Sequence, residues 1–580
     1  MKETKVSWLQ WNKESFNKAR KLDKPILLGI SAVWCHWCHV MDKTTYSVNE
    51  IVRLIEEKFV PIRVDRDQRP DIDKRYNMGG WPSTVFLTPD GEVLMGGTYI
   101  SPQQMMVMLD HVSLLYQKSK GTLKSRIKEL QKELMKQKMQ QTLDNEQFKS
   151  IVDDLTLMIA SRFDSVYGGF GDAPKFPHYG ALRFALLQYH LHGHIAALNI
   201  VKKTLNMMGS SGIYDTEEGG FFRYSTTRDW SVPHYEKMCE DNAKLLVNYL
   251  EAYQVTGQFD FRKTSKGMLK YINSKMTDQE NGGFFGSQDA DENYYKLKLS
   301  ERKTRTPPKI DKTLFVNWNA IMVSSYLLAS MVLDEPTYQE FAFKTVDRLL
   351  DSAFGSKKGM KHFIVADKSY LSGLLTDQVH MIKCLLDCYQ TSCEVKYLES
   401  AETLARFILD KMWDKNGGFF DRVEDTEAFG ALKLSDKPLE ENSIAADVFL
   451  RLYHLTGKQN YLDVANRILG FFPKTYQGYS IMAALYGIAV ELYLNPVQIH
   501  IIGSRKDDVT NKFHKESLKT YNPLKIVEVI DPKHNKDRLK TLGYPYSKQP
   551  ILYVCSRGKC KSTKDPIKTA ELVGGKRYGD

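Results

Sequence analysis

The sequence predicts a multidomain chain: an N-terminal α/β domain, a long all-α ring of helical hairpins, and a small C-terminal α/β region. Three observations predict it. Strand and helix signals alternate over residues 1–118, a degenerate helical repeat fills 150–495, and strand-like runs return over 496–580. A chain of 580 residues is also too long for one hydrophobic core. Residues 119–149, rich in Lys, Glu, Gln and Met, read as a connecting helix, with too few heptads for a coiled coil.

In the first domain, residues 15–21 read as a helix and 25–31 as a short, continuous apolar strand. Residues 40–59 carry a helical pattern with Ile51, Leu54, Ile55 and Phe59 on one face, and 60–64 read as a second strand. Residues 84–87 and 92–95 flank the Thr-Pro-Asp-Gly turn at 88–91, a hairpin signature, and 101–115 close the domain as a helix. Strands alternating with helices and ending in a hairpin suit a small α/β sheet.

The repeat over 150–495 has two markers. One is a Gly-Gly-Phe turn, at 168–170, 219–221, 282–284 and 417–419. The other is a helix end followed by an aromatic residue, as in AYQVTGQFDF, CYQTSCEVKY, YHLTGKQNY and, more loosely, MVLDEPTY. Helices such as 242–253 and 317–333 are apolar almost all round, whereas 398–412 and 461–472 are amphipathic. The first kind is buried and the second faces water. Their alternation implies an inner and an outer ring built from hairpins of roughly fifty to seventy residues. A closed (α/α)6 toroid fits the length, and an open solenoid is the alternative. In the C-terminal region, 498–502, 525–530 and 551–555 read as strands.

The chemistry-bearing motif is Trp34-Cys35-His36-Trp37-Cys38-His39. It follows a buried strand and opens a helix, where the positive end of the helix stabilises a thiolate. A helix end supplies up to ~2 kcal/mol and one pKa unit is ~1.4 kcal/mol, so the thiol moves from about 8.5 towards roughly 7. His36 and His39, if protonated, lower it further. Cys35 is expected to be the exposed attacking thiol and Cys38 the resolving one, through a mixed disulfide. Pro82, between Trp81 and the strand at 83–87, sits where thioredoxin-like folds place a cis-proline facing the dithiol, so a cis Trp81–Pro82 bond is expected. Three other readings stay open. The motif matches the c-type haem pattern Cys-x-x-Cys-His, which normally requires export. Cys35, Cys38, His36 and His39 are all competent zinc ligands, though crowded for tetrahedral convergence. The pair could also be purely structural, its tryptophans part of the core.

Residues 8–99, with WCHWCHVM, FVPIRVDRDQRPDID, GGWPSTVFLTPDG and GGTY, resemble the DsbH-type thioredoxin-domain family, the YyaL and spermatogenesis-associated protein 20-like proteins. GGFGDAPKFPH, GGFFRYSTTRDWSVPHYEKM, GGFFGSQDADEN, PPKIDKTLFVNWNAIM and YVCSRGKC extend the resemblance over nearly the whole chain. It implies a thioredoxin-like domain joined to a six-hairpin glycosidase-like (α/α)6 toroid. Two departures stand out. Gly29 occupies the place of the aspartate that thioredoxins bury beside the dithiol as a proton acceptor. The segment after Gln288-Asp289-Ala290-Asp291 is shorter than in typical long members and gives way to a Lys/Arg-rich stretch and Pro307.

Polar residues at the Gly-Gly-Phe loops and at inner-helix starts form a second candidate site: Lys175, His178, Arg223, His234, Glu236, Lys237, Asp241, Asn242, Gln288, Asp289, Asp291, Trp318 and Asn319. Loops at one end of a toroid converge, and acids, histidines and an aromatic platform suit a sugar or sugar derivative. His234 and Glu236 are the best local acid/base pair. Against this, Asp and Asn at helix starts are ordinary caps. Cys384, Cys388 and Cys393 read as small buried side chains, and Cys555 and Cys560 as either a hairpin disulfide or half a zinc site.

The composition narrows the classes. Lys and Arg total 81 against 70 acids, a net charge of +11 without a recognition module for nucleic acid, so no nucleic-acid partner is expected. The first 21 residues lack the apolar core of a secretory signal, no apolar run spans a bilayer, and eight cysteines make no dense framework. A cytoplasmic protein without membrane attachment, metal or cofactor is expected. Its first functional reading is a thiol–disulfide oxidoreductase or redox-responsive protein acting on a protein or low-molecular-weight disulfide. The alternatives are a carbohydrate epimerase, isomerase or hydrolase sited in the toroid with a regulatory thioredoxin domain, and a non-catalytic binding scaffold.

Overall fold

A computed structural model describes residues 5–134 and 143–574. The chain divides into two compact units, one of Met1–Met139 with Asp421–Asp436, the other of Gln140–Phe420 with Lys437–Asp580.

The first unit is built from α1 (Lys13–Leu22), β1 (Ile26–Ser31), α2 (His36–Thr44), α3 (Asn49–Lys58), β2 (Val60–Asp65), α4 (Pro70–Tyr76), β3 (Ser83–Leu87), β4 (Val93–Gly97) and α5 (Pro102–Leu134). Its sheet runs β2-β1-β3-β4, with β1 parallel to β2 and antiparallel to β3. Side chains of β1 alternate between two cores. Ile26, Leu28 and Ile30 join Phe16, Ile62 and Tyr76 on one face, and Leu27 joins Met41, Ile51, Phe86 and Met105 on the other. This is the thioredoxin-like fold.

The helical pattern over 40–59 is two helices, α2 ending at Thr44 and α3 beginning at Asn49, with polar side chains bonded to backbone carbonyls between them. Ser47 Oγ donates to the Lys43 carbonyl at 2.6 Å and Thr45 Oγ1 to the Ile100 carbonyl at 2.9 Å. Helix α4 lies outside the sequence expectation, although Pro70 at its first turn, Asp71 and Asp73 there, and Lys74 and Arg75 at its end are ordinary helix signals. A single connecting helix over 119–149 is not what the described residues show. Helix α5 continues unbroken to Leu134, and α6 (Asn145–Arg162) starts separately at a capping box of Asp144 and Gln147. Residues 135–142 of that expected helix lie outside the described residues.

The segment Asp421–Asp436, expected in the ring, completes the first unit. Its ends meet where Asp421 N–H donates to the Asp436 carbonyl at 2.8 Å. Arg75 grips Asp421 through both terminal nitrogens, at 2.8 and 3.2 Å, and Phe429 stacks on Phe16 at 4.5 Å. Gly430 is required: a Cβ there would lie 2.2 Å from Tyr76 Oη. That hydroxyl accepts the Ala431 N–H and donates to the Gly91 carbonyl, both at 2.7 Å.

The second unit holds the ring. Its inner helices are α7 (Tyr179–His192), α9 (Cys239–Thr256), α13 (Val316–Leu333), α15 (Leu375–Ser392), α17 (Leu439–Thr456) and α19 (Ala484–Leu494). Each packs on the next, and α19 returns to α7, so the ring is closed and the open solenoid is ruled out. Their outer partners are α8 (Ile195–Gly209), α10 (Phe259–Lys275), α14 (Pro336–Ala353), α16 (Val395–Lys411), α18 (Gln459–Leu469) and α6 respectively. The short helices α11 (Glu292–Tyr295) and α12 (Leu299–Arg302) sit on the connection between α10 and α13. The helix-end marker is the inner-to-outer turn: Gly257, Asp334, Cys393 and Gly457 each cap an inner helix in the left-handed region. Among the described residues α13 is long and apolar enough to cross a membrane, contrary to the sequence expectation, yet most of it is buried as an inner-ring helix.

The C-terminal part contains β5 (Val497–Ile502), α20 (Asp508–Lys519), β6 (Lys525–Ile530), α21 (Lys536–Thr541), β7 (Ile551–Ser556), β8 (Lys559–Thr563) and α22 (Thr569–Val573). Its strand order is β6-β5-β7-β8, with β5 parallel to β6 and the other pairs antiparallel. That repeats the topology of the first sheet, down to a proline, Pro550, just before the third strand as Pro82 precedes β3.

Candidate functional site

Cys35 is the N-cap of α2. Its Sγ accepts the Cys38 N–H at 3.2 Å, and its carbonyl accepts the N–H groups of Cys38 and His39 at 3.1 and 3.2 Å. Cys35 and Cys38 are joined as a disulfide. The expectation of an exposed Cys35 is corrected: both cysteines are 4% exposed. The bonded sulfurs turn inward while Val33, His36 and Trp37 take the outer surface of the turn, Trp37 being 49% exposed and packed edge-on to Tyr99 at 5.4 Å.

Register places Pro82 beside this turn, because Ile30 on β1 faces Ser83 on β3 and the chain leaves β1 directly for Cys35. The Trp81–Pro82 bond is cis, as expected. The flanking tryptophans are oriented by their indole nitrogens as well as packed. Trp34 Nε1 donates to Asp67 Oδ2 at 2.6 Å and Trp81 Nε1 to Asp73 Oδ1 at 2.8 Å. Arg66 pairs with Asp67 at 3.0 Å and lies over the Trp81 ring at 4.5 Å. At Gly29 the missing carboxylate would crowd Trp8: a Cβ would meet Trp8 Cη2 at 3.3 Å, and Trp8 is covered by Arg63, itself bonded to Asp42 at 3.1 Å. Among the described residues no group of three or more His, Cys, Asp or Glu side chains converges as a metal site.

In the ring, the Gly-Gly-Phe loops prove to be a repeated polar bracket. An aspartate opens each loop (Asp164, Asp215, Asp278, Asp414), donates its N–H to the second glycine's carbonyl and accepts the first glycine's N–H. A buried or half-buried cation, Lys175, Lys237, Arg348 or Lys437, neutralises that aspartate. Asn242, Asn319 and Asn442 each hold the phenylalanine backbone through both amide atoms. Lys237 shows the physics. Burial pushes its pKa down to about 8 while Asp215, 2.7 Å away, opposes the shift. Lys175, Lys237, Asn242 and Asn319 therefore build loops.

Other candidates separate similarly. Gln288 accepts the Tyr271 hydroxyl at 3.0 Å, Asp291 caps α11, Asp289 Oδ1 accepts the Ala290 N–H at 2.8 Å, and Trp318 is buried against Phe315. His178 precedes α7, its pKa lowered by burial, 5.9 Å from the Phe170 ring. Four candidates do converge. Buried Glu236 is hydrogen-bonded to His234 Nδ1 and lies 3.6 Å from Arg223 Nη1. His234 stacks on Tyr224, and Asp241 accepts the Tyr179 hydroxyl at 3.0 Å. Burial raises Asp241 to about 6, with Arg223 acting in the opposite direction.

The cavity of the ring lies elsewhere. It measures about 310 Å³, is lined by residues of all six inner helices, and includes Leu518, Tyr521 and Lys525 of the C-terminal part. Tyr179 joins its wall to the Asp241 cluster. Sequence reasoning missed its charged lining. Lys383–Asp387 and Arg451–Asp447 are i,i+4 pairs at 2.8 and 2.9 Å, and Arg183 clamps Glu251 at 2.7 and 3.0 Å. Acid–base pairs on otherwise apolar helices were the available signal. Ser324 Oγ and Tyr521 Oη are buried there without a hydrogen-bond partner, Tyr521 being only 6% exposed.

Residues 1–142 match the family Thioredox_DsbH, described as a protein of unknown function, DUF255. Over 98% of this chain and 90% of its own length, human spermatogenesis-associated protein 20 is 26% identical. Thioredoxin-1 of Drosophila melanogaster is 34% identical over 11% of this chain and 58% of that protein. A cellobiose 2-epimerase from Bacillus thermoamylovorans covers 56% of this chain and 85% of its own at 16% identity and a TM-score of 0.47.

Proposed function

With an N-terminal domain of the DsbH-type thioredoxin family as premise, we propose that the protein is a thiol–disulfide oxidoreductase acting through Cys35 and Cys38. The supporting observation is the placement of Cys35 Sγ at the N-cap of α2, where it accepts the Cys38 N–H and is bonded to Cys38. A thiolate on this sulfur gains from the helix terminus. It attacks a substrate disulfide, one substrate sulfur leaves as thiolate, and Cys38 then attacks Cys35, releasing the second substrate thiol and forming the Cys35–Cys38 bond. Two electrons pass from the dithiol to the substrate. The exposed Val33 and Trp37 offer an apolar contact for a protein substrate. The test is trapping: Cys38→Ser should accumulate mixed disulfides on Cys35, and Cys35→Ser should abolish insulin reduction. Insulin reduction at the wild-type rate by Cys35→Ser would overturn the reading.

The cavity favours a second reading, a sugar-like polar molecule within the ring. Two buried hydroxyls without partners, Ser324 and Tyr521, among paired charges offer what a polyol needs. Calorimetric titration with mono- and disaccharides tests it. Binding weakened by Tyr521→Phe supports it, and no heat with any of them removes it.

A further inference from the structure

The C-terminal sheet carries a second disulfide. Cys555 on β7 lies directly opposite Cys560 on β8 and is bonded to it, so the hairpin alternative holds for this pair. Its two sulfurs differ in surroundings. Cys560 is exposed on the outermost strand, whereas Cys555 is half-buried with Tyr544 Oη 3.3 Å from its Sγ. A disulfide sulfur carries no proton, so Tyr544 is the donor in that contact.

The tyrosine is held in place. Its ring stacks on Tyr553 at 4.2 Å, and its hydroxyl meets His500 Nδ1 at 2.8 Å, where the Nδ1–H tautomer donates to the tyrosine oxygen and leaves the single hydroxyl proton for Cys555. Burial and the neighbouring Arg538 push His500 down to about 4, so it is neutral at pH 7. Its Nε2 faces Glu528 at 3.8 Å, and Glu528 is clamped by Arg538 at 2.8 Å. Burial raises Tyr544 to about 12, so it keeps its proton. None of these groups belongs to the ring cavity or to the Cys35–Cys38 turn.

We propose that Cys555–Cys560 is a second thiol–disulfide exchange site, which accepts electrons from a dithiol, with Tyr544 donating a hydrogen bond to the leaving sulfur. The dithiol's thiolate attacks the Sγ of Cys560, the exposed residue of the pair. A new S–S bond forms, the Cys555–Cys560 bond breaks, and its electron pair goes to Cys555, whose growing negative charge the Tyr544 hydroxyl stabilises. The dithiol's second thiolate then attacks its own sulfur in the mixed disulfide and expels Cys560. The dithiol ends as a disulfide, and Cys555 and Cys560 end as thiols holding the two electrons and, through solvent, the two protons.

The experiment uses the full chain, oxidised, with dithiothreitol at pH 7. Samples are quenched with iodoacetamide at intervals, and the peptides of Cys555, Cys560, Cys35 and Cys38 are quantified by mass spectrometry, which scores the two pairs separately. Cys555 and Cys560 should open in the folded protein at least about tenfold faster than Cys35 and Cys38, because attack requires access to a sulfur. Tyr544→Phe, which keeps the ring stack, should slow that opening at least about fivefold, even though loss of the His500 bond lowers the thermal midpoint. The proposal fails if the pair opens only in urea, if both cysteines alkylate without reductant, or if Tyr544→Phe opens at the wild-type rate.

Discussion

The sharpest expectation concerns the ionisation of Cys35. In reduced Cys38→Ser the backbone N–H of residue 38 remains to meet Cys35 Sγ, as it does at 3.2 Å in the oxidised protein. The start of α2 contributes up to ~2 kcal/mol to the thiolate, and at ~1.4 kcal/mol per unit this lowers the thiol from about 8.5 to about 7. At pH 7 that is about fifteen times more thiolate than free cysteine carries. The assay is the rate of iodoacetamide addition to the Cys35 peptide between pH 5 and 10, followed by mass spectrometry so that Cys239, Cys384, Cys388 and Cys393 do not contribute. Burial of Cys35 opposes the helix start by disfavouring the thiolate, so the midpoint reads the balance of the two. A midpoint at or above 8.5, or an identical curve in urea, refutes the reasoning.

Three further outcomes are expected. A fragment ending at Leu134 lacks Asp421–Asp436 and uncovers Phe16 and Tyr76, so it should bind hydrophobic dye, and joining the missing segment by a flexible linker should reverse this; a dye-free, cooperatively melting fragment would contradict it. Asp215→Asn removes the carboxylate that buried Lys237 and Arg302 share at 2.7 Å, leaving Arg302 with Glu218 at 3.1 Å and Lys237 without an ion-pair partner among the described residues, and should cost about 3–5 kcal/mol in denaturant unfolding, while a loss below 1 kcal/mol would show that the bracket is dispensable. Burial lowers Lys525 to about 7 in the folded protein from 10.5, so above pH 7 the unfolded chain binds the proton more and stability rises with pH. Lys525→Met removes that slope, so its thermal midpoint relative to wild type should fall from pH 6 to pH 9.

The legible parts of the sequence were those governed by local rules. The strands at 25–31 and 525–530, the dithiol at a helix start, the proline before the third strand, and the sorting of 317–333 inside and 398–412 outside all follow from periodicity and capping. What escaped depends on partners distant in the chain. Lys237 and Asn319 have the chemistry of a binding site, and only the fold reveals that they are consumed by Asp215 and the Phe284 backbone. Arg183 and Glu251, 68 residues apart, meet only once α9 packs beside α7. The burial of Cys35 was missed because adjacency in a motif says nothing about which way a sulfur faces.

The Asp421–Asp436 segment has a consequence during synthesis. A domain that needs residues from far downstream cannot finish when its own stretch leaves the ribosome. Between Met139 and Asp436 lie almost three hundred residues, about 15–60 s of elongation at ordinary rates. Throughout that interval the apolar face beside Phe16 stays uncovered. The nascent chain therefore passes through a timed window in which its N-terminal half is a client for chaperones, and slowing translation should deepen that dependence.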